Sequence, residues 1–117
     1  MLPTPGPMGG MGRHIVLYYR YCHIEDPAAL REWQIQLTGD LGLTGRVLIA
    51  REGVNGTLSG TQEAVTSYIE AMEAYRGPEG GTAGTVEHLF KGVDWKCSTA
   101  AVEPFPDLKI AVVPPST

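Results

Sequence analysis

The stretch from Gly45 to Gly60, GRVLIAREGVNGTLSG, decides the fold. Arg46 to Arg51 is rich in β-branched and aliphatic residues and reads as a strand. Glu52-Gly53 reads as the turn, glycine supplying the positive φ that a tight hairpin needs, and Val54 to Ser59 returns. The rival turn signal Asn55-Gly56 would leave a return strand of only about three residues, against the usual 5–6. It is read instead as a strand site where another group approaches the backbone closely. Val47 and Ile49 then share one face, and Arg46, Leu48 and Ala50 share the other, with Val54 and Leu58 alternating likewise.

Working outward, His14 to Tyr21 also alternates. Ile15, Leu17, Tyr19 and Tyr21 lie on one side, Val16, Tyr18 and Arg20 on the other. Both sides are apolar enough for a central strand. Cys22 to Glu25 connects it to a helix capped by Asp26 with Pro27 in its first turn, running to about Asp40 or Leu41. Ala29, Leu30, Trp33 and Leu37 form its apolar stripe, and Gly42 is a left-handed stop. Thr61 caps a second helix reaching about Arg76, with Val65, Tyr68, Ile69, Met72 and Tyr75 as its stripe and Gly77-Pro78 ending it. Pro78 to Thr85 reads as a flexible loop. Trp95 to Ala100 reads as a short extra strand and Leu108 to Val113 as a clear one. Residues 1–13 read as a disordered tail, 14–113 as the domain, and 114–117 as the start of a linker.

The order is β-α-β-β-α-β with the extra short strand near the end. Two helices with one apolar stripe each cover one face of an antiparallel sheet. The expectation is an α+β, ferredoxin-like or acylphosphatase-like domain with the first and third strands central and the other face left open.

The chain has 117 residues, 43% of them hydrophobic, which fits one globular domain with its own core. A net charge of −4 argues against a broad nucleic-acid surface, though not against a local one. Cys22 and Cys97 are too few for a disulfide framework, and no CxxC or histidine spacing points to a metal or other cofactor. No stretch approaches the ~20 apolar residues of a membrane span, and MLPTPGPMGGMG lacks a signal-peptide pattern. A cytoplasmic protein without membrane contact is expected.

The segments YYRYCHIEDPAALREW, GRVLIAREGVNGTLSG and PFPDLK, at these spacings, resemble the N-terminal domain of the tRNA uridine hydroxylases, also described as rhodanese-domain-containing proteins. The resemblance covers about residues 14–113. It implies an acylphosphatase-like domain preceding a rhodanese domain, the pair being associated with oxygen-dependent 5-hydroxylation of a wobble uridine in tRNA. The family's essential cysteine lies in the rhodanese domain, and neither Cys22 nor Cys97 matches it. The resemblance therefore implies a non-catalytic module whose partners are tRNA and a rhodanese domain in cis. A stand-alone interaction module is the alternative.

Tyr19, Tyr21, His23, Arg46, Asn55 and Lys109 are the candidate contacts to nucleic acid or to a partner domain. Exposed aromatics on a central strand are where sheet-type RNA binders stack bases, and arginine grips phosphate through two parallel bonds. The competing readings are that Tyr19 and Tyr21 pack under the helices or against a second domain, that His23 fixes its own loop, and that Arg46, Arg51, Glu52 and Asn55 form a solvated hairpin rim. The resemblance favours Val16 and Tyr18 under the helices. Cys22 reads as packing, Trp33 and Tyr68 as core, and Lys91, Lys96 and Lys109 as solvated, Lys109 joining Arg46 if both lie on the open face. Acylphosphatase chemistry needs an anion cradle between the first strand and first helix. Cys22-His23-Ile24-Glu25-Asp26 has no glycine and two acids there, so this hydrolase reading is the least favoured.

Overall fold

The computed structural model describes residues 13–76 and 89–114. The expected tail, the 78–85 loop and most of the linker lie outside them, apart from Arg13, which opens the first strand. Seven elements follow in order: β1 (Arg13–Tyr21), α1 (Pro27–Leu41), β2 (Thr44–Ala50), β3 (Gly53–Gly60), α2 (Gln62–Ala74), β4 (Lys96–Ala100) and β5 (Leu108–Val112).

The strands form one sheet in the order β4-β1-β3-β2-β5. The first four make the ferredoxin-like arrangement, all pairs antiparallel, with β1 and β3 inside. One expectation is corrected. The sheet is mixed rather than antiparallel, because β5 runs parallel to β2. Lys96–Ala100, the extra short strand of the sequence, lies beside β1, and Leu108–Val112 takes the far edge. LKIAV alternates because Ile110 is buried on one face, and Arg31 of α1 ties this strand to the helix by donating to the Ile110 carbonyl at 2.8 Å. KCSTA is exposed almost throughout, so its sequence carries little pattern.

The hairpin turn also moves by one residue. Ala50 pairs with Gly53, so the two loop residues are Arg51 and Glu52. Gly53 lies in the strand with φ 153°, where a Cβ would fall 2.1 Å from the Arg20 carbonyl oxygen. The glycine is demanded by this close approach of β1 rather than by the turn itself. Asn55-Gly56 is indeed a strand site, and the group that approaches it is the Tyr18 ring, whose Cε1 would stand 2.7 Å from a Cβ on Gly56.

Both helices pack on one face. Asp26 accepts from the Ala29 N–H at the start of α1, and Gly42 stops it with φ 69°. Thr61 caps α2, which ends at Ala74, two residues short of expectation. The sheet contributes Val16, Tyr18, Val47, Ile49, Val54, Leu58 and Ile110 to the core, all on one side. Each large side chain so buried stabilises by about 1.5–3 kcal/mol.

The apolar stripe of α1 hides a polar seam that its sequence does not announce. Gln34 and Thr38 are fully buried, whereas Trp33 and Leu37 are only partly so. The Tyr68 hydroxyl donates to Gln34 Oε1 at 2.9 Å and lies 2.6 Å from the Tyr18 hydroxyl. With its one proton committed to Gln34, Tyr68 accepts from Tyr18. The Gln34 amide then donates to Met72 Sδ at 2.9 Å, and Thr38 Oγ1 donates to the Gln34 carbonyl at 2.7 Å. The chain of bonds joins sheet to both helices with its polar groups satisfied, as burial requires.

Candidate nucleic-acid or domain interface

The register of β1 on β3 fixes which aromatics are presented. Tyr18 pairs with Gly56, the residue whose missing side chain makes room for its ring, so even-numbered residues of β1 turn towards the helices. Leu17, Tyr19 and Tyr21 consequently point away from both helices, 46%, 63% and 84% exposed. The Tyr19 and Tyr21 rings meet edge to face with centroids 5.9 Å apart.

Pairing across the strands divides this open face into rows. One row runs Lys96, Leu17, Thr57, Arg46, Lys109. The next runs Tyr19, Asn55, Leu48, Ala111. The last described pairing in β1 sets Tyr21 beside Gly53, itself opposite Ala50. Rows are two residues apart, about 7 Å. The first is polar and cationic, the other two mostly apolar. Tyr19, Tyr21, Leu48, Ala50, Asn55 and Val113 surround a shallow concavity of ≈310 Å³. Tyr19, Tyr21, Arg46, Asn55 and Lys109 are therefore brought onto one surface.

The cations differ in their engagement. Lys96 is held by Asp94 at 2.6 Å, and this bond raises its ammonium above the usual range. Arg13 is held by Glu103 at 2.6 Å. Arg46 and Lys109 make no ion pair among the described residues.

His23 stands apart from this surface. It lies in the loop after β1, with Nε2 2.9 Å from Glu25 Oε1 and both side chains largely exposed. The loop is pinned to the hairpin by Cys22 N–H to the Glu52 carbonyl (3.0 Å) and Ile24 N–H to the Arg51 carbonyl (2.9 Å). Cys22 is half-buried, and burial pushes its thiol up against the opposing pull of Arg20. Its thiolate, the reactive form, is thus disfavoured. The helix N-terminus beyond carries no anion cradle: Pro27 has no N–H, and the Asp26 carboxylate occupies the Ala29 N–H at 3.1 Å.

Sequence reasoning passed over Arg20, which donates to the Leu89 and Lys91 carbonyls at 3.0 and 3.2 Å and fastens the segment leading to β4. No local signal marks it, because both partners lie about seventy residues away. The sequence places Leu48 and Ala50 on a strand face and Val113 in a strand, and only the sheet register shows that they wall the concavity.

Sheet order, one-sided helices and an open face define an α+β module of ferredoxin-like, acylphosphatase-like type. BlrB, a BLUF protein in its dark state, superposes with a TM-score of 0.60 at 18% identity, over 87% of this chain and 74% of that one. This is a likeness of fold alone. The chain belongs to the UPF0176 acylphosphatase-like domain family, which matches residues 13–115. The tRNA uridine(34) hydroxylase of Arthrobacter sp. (strain FB24) is 40% identical over 98 residues, 84% of this chain and 29% of that protein. The enzyme of that name from Enterococcus faecalis is 48% identical over 64 residues, 55% of this chain and 20% of that protein. The chain thus spans under a third of the length of these curated relatives.

Proposed function

We propose that the chain is the non-catalytic N-terminal module of a rhodanese-type tRNA uridine hydroxylase, where it helps to bind tRNA or to position the catalytic domain. The observation that carries this is the open sheet face. A central strand offers two exposed tyrosines, and two cations without carboxylate partners among the described residues stand one row away, on a domain whose relatives are named for acting on tRNA. The Cys22–Asp26 loop supports the non-catalytic half of the reading. Its cysteine is held in the thiol form, and its helix N-terminus is occupied by the chain's own carboxylate.

The test has two arms. The isolated chain is expected to neither transfer sulfur from thiosulfate nor hydrolyse an acyl phosphate. Turnover of either that is abolished by Cys22→Ser or His23→Ala contradicts the reading. In a polypeptide of the relatives' full length that carries this chain, uridine hydroxylation is expected and is lost when these residues are deleted. Hydroxylation that persists without them removes the module from the reaction.

A further inference from the structure

We infer that the concavity on the open face is a seat for one unpaired nucleobase of an RNA strand, whose backbone then runs over Arg46 and Lys109. The inference rests on the tRNA reading above and names what the face would hold.

The walls supply flat apolar surface. Tyr19 and Tyr21 stand edge to face, so a base can stack on one ring while the other closes its flank. The floor supplies one polar contact. Asn55, directly beside Tyr19 in register, is exposed, and its carboxamide makes no hydrogen bond among the described residues. Arg20 also borders the concavity, but its guanidinium is turned to the Leu89 and Lys91 carbonyls.

A carboxamide presents a donor and an acceptor side by side, the complement of the edge an unpaired base exposes. An apolar side chain from a protein partner would fill the same space but leave this amide without a partner, which is unfavourable once the site is closed. The charges agree. The chain as a whole is acidic, yet the row beside the concavity carries Arg46 and Lys109 with no acid paired to them among the described residues. A polyanion laid along that row meets complementary charge, and duplex RNA cannot insert a base. The amide can match several base edges, so the seat selects unpaired bases rather than one base.

The test titrates the isotope-labelled chain, at low salt, with an RNA hairpin bearing a seven-nucleotide loop and with the same stem as a blunt duplex. The expected result is that loop RNA shifts the amide signals of Tyr19, Leu48 and Asn55 and binds at least about tenfold more tightly than the duplex. Tyr21→Ala is expected to weaken loop binding about five- to hundredfold, the range of one stacked base, while Tyr21→Phe retains it. Asn55→Leu weakens it several-fold. Both tyrosines are well exposed, so the variants stay folded.

Equal binding of loop and duplex, signal shifts confined to Arg46 and Lys109, indifference to Tyr21→Ala, or no shift at millimolar RNA overturns the base seat. None of these touches the hydroxylase reading, which fails separately if the longer polypeptide is inactive on tRNA.

Discussion

Arg46 and Lys109 are register partners across the parallel β2–β5 pair, two cations side by side on the open face. Paired strands lie about 4.8 Å apart, so the charges repel, although water and salt screen exposed groups. Such an arrangement weakens the fold slightly and favours an incoming anion. Lys109→Ala is expected to leave the stability unchanged or raise it by about a few tenths of a kcal/mol, more at low salt than at high. Thermal melts at two ionic strengths check this. A clear loss of stability would mean that Lys109 packs rather than repels.

The Tyr18–Tyr68 contact beneath the sheet gives an alkaline limit. Burial raises both phenols above their ordinary value of 10. The unfolded chain releases these protons near pH 10 while the folded chain keeps them. The stabilisation is therefore complete below pH 10 and is lost as pH rises from there towards the folded values. Tyr68→Phe is expected to cost about 1–3 kcal/mol at neutral pH, because Gln34 Oε1 and the Tyr18 hydroxyl lose their partner. It should also flatten the alkaline fall. Denaturant titrations at pH 7 and above pH 10 measure both.

Two glycines of the hairpin should differ in their tolerance of alanine. At Gly56 the obstacle is the Tyr18 ring, which can shift, and Gly56→Ala is expected to cost about 1–3 kcal/mol. At Gly53 the obstacle is the Arg20 carbonyl, and φ is 153°, so backbone would have to move. Gly53→Ala is expected to cost more than Gly56→Ala by denaturant unfolding. The reverse order would mean that the hairpin is held differently against β1.

Asp26 is a cap rather than a ligand. Asp26→Ala is expected to cost about 1 kcal/mol through the lost bond to the Ala29 N–H. It is expected to leave RNA binding unchanged, as is His23→Ala, since both lie off the open face. A loss of RNA binding in either variant would draw the β1–α1 loop into the site.

The fold was legible wherever burial is one-sided. RVLIA, the stripe of α2, Asp26-Pro27 and Thr61 each carry their signal locally. What failed to show depended on partners distant in sequence. KCSTA has no alternation because it lies at an exposed edge, so its place beside β1 does not show in its sequence. Gln34 and Thr38 break the stripe of α1 and make sense only once Tyr68 is beside them. The choice between Tyr18 and Tyr19 as the buried ring could not be read from β1, whose two sides are equally apolar. It is made by β3, where Gly56 stands opposite Tyr18 and Asn55 opposite Tyr19. The same pairing assembles the candidate site, whose residues come from four strands.

The most direct test of the open face is the salt dependence of tRNA binding by a full-length polypeptide carrying this chain, with and without Arg46→Ala and Lys109→Ala together. If both cations meet phosphates, the slope of log affinity against log salt is expected to fall by about 1.4–1.8, two contacts at 0.7–0.9 each. An unchanged affinity and slope, with a fall in thermal stability or in docking of the second domain, would contradict the RNA role and make the face an interface between domains.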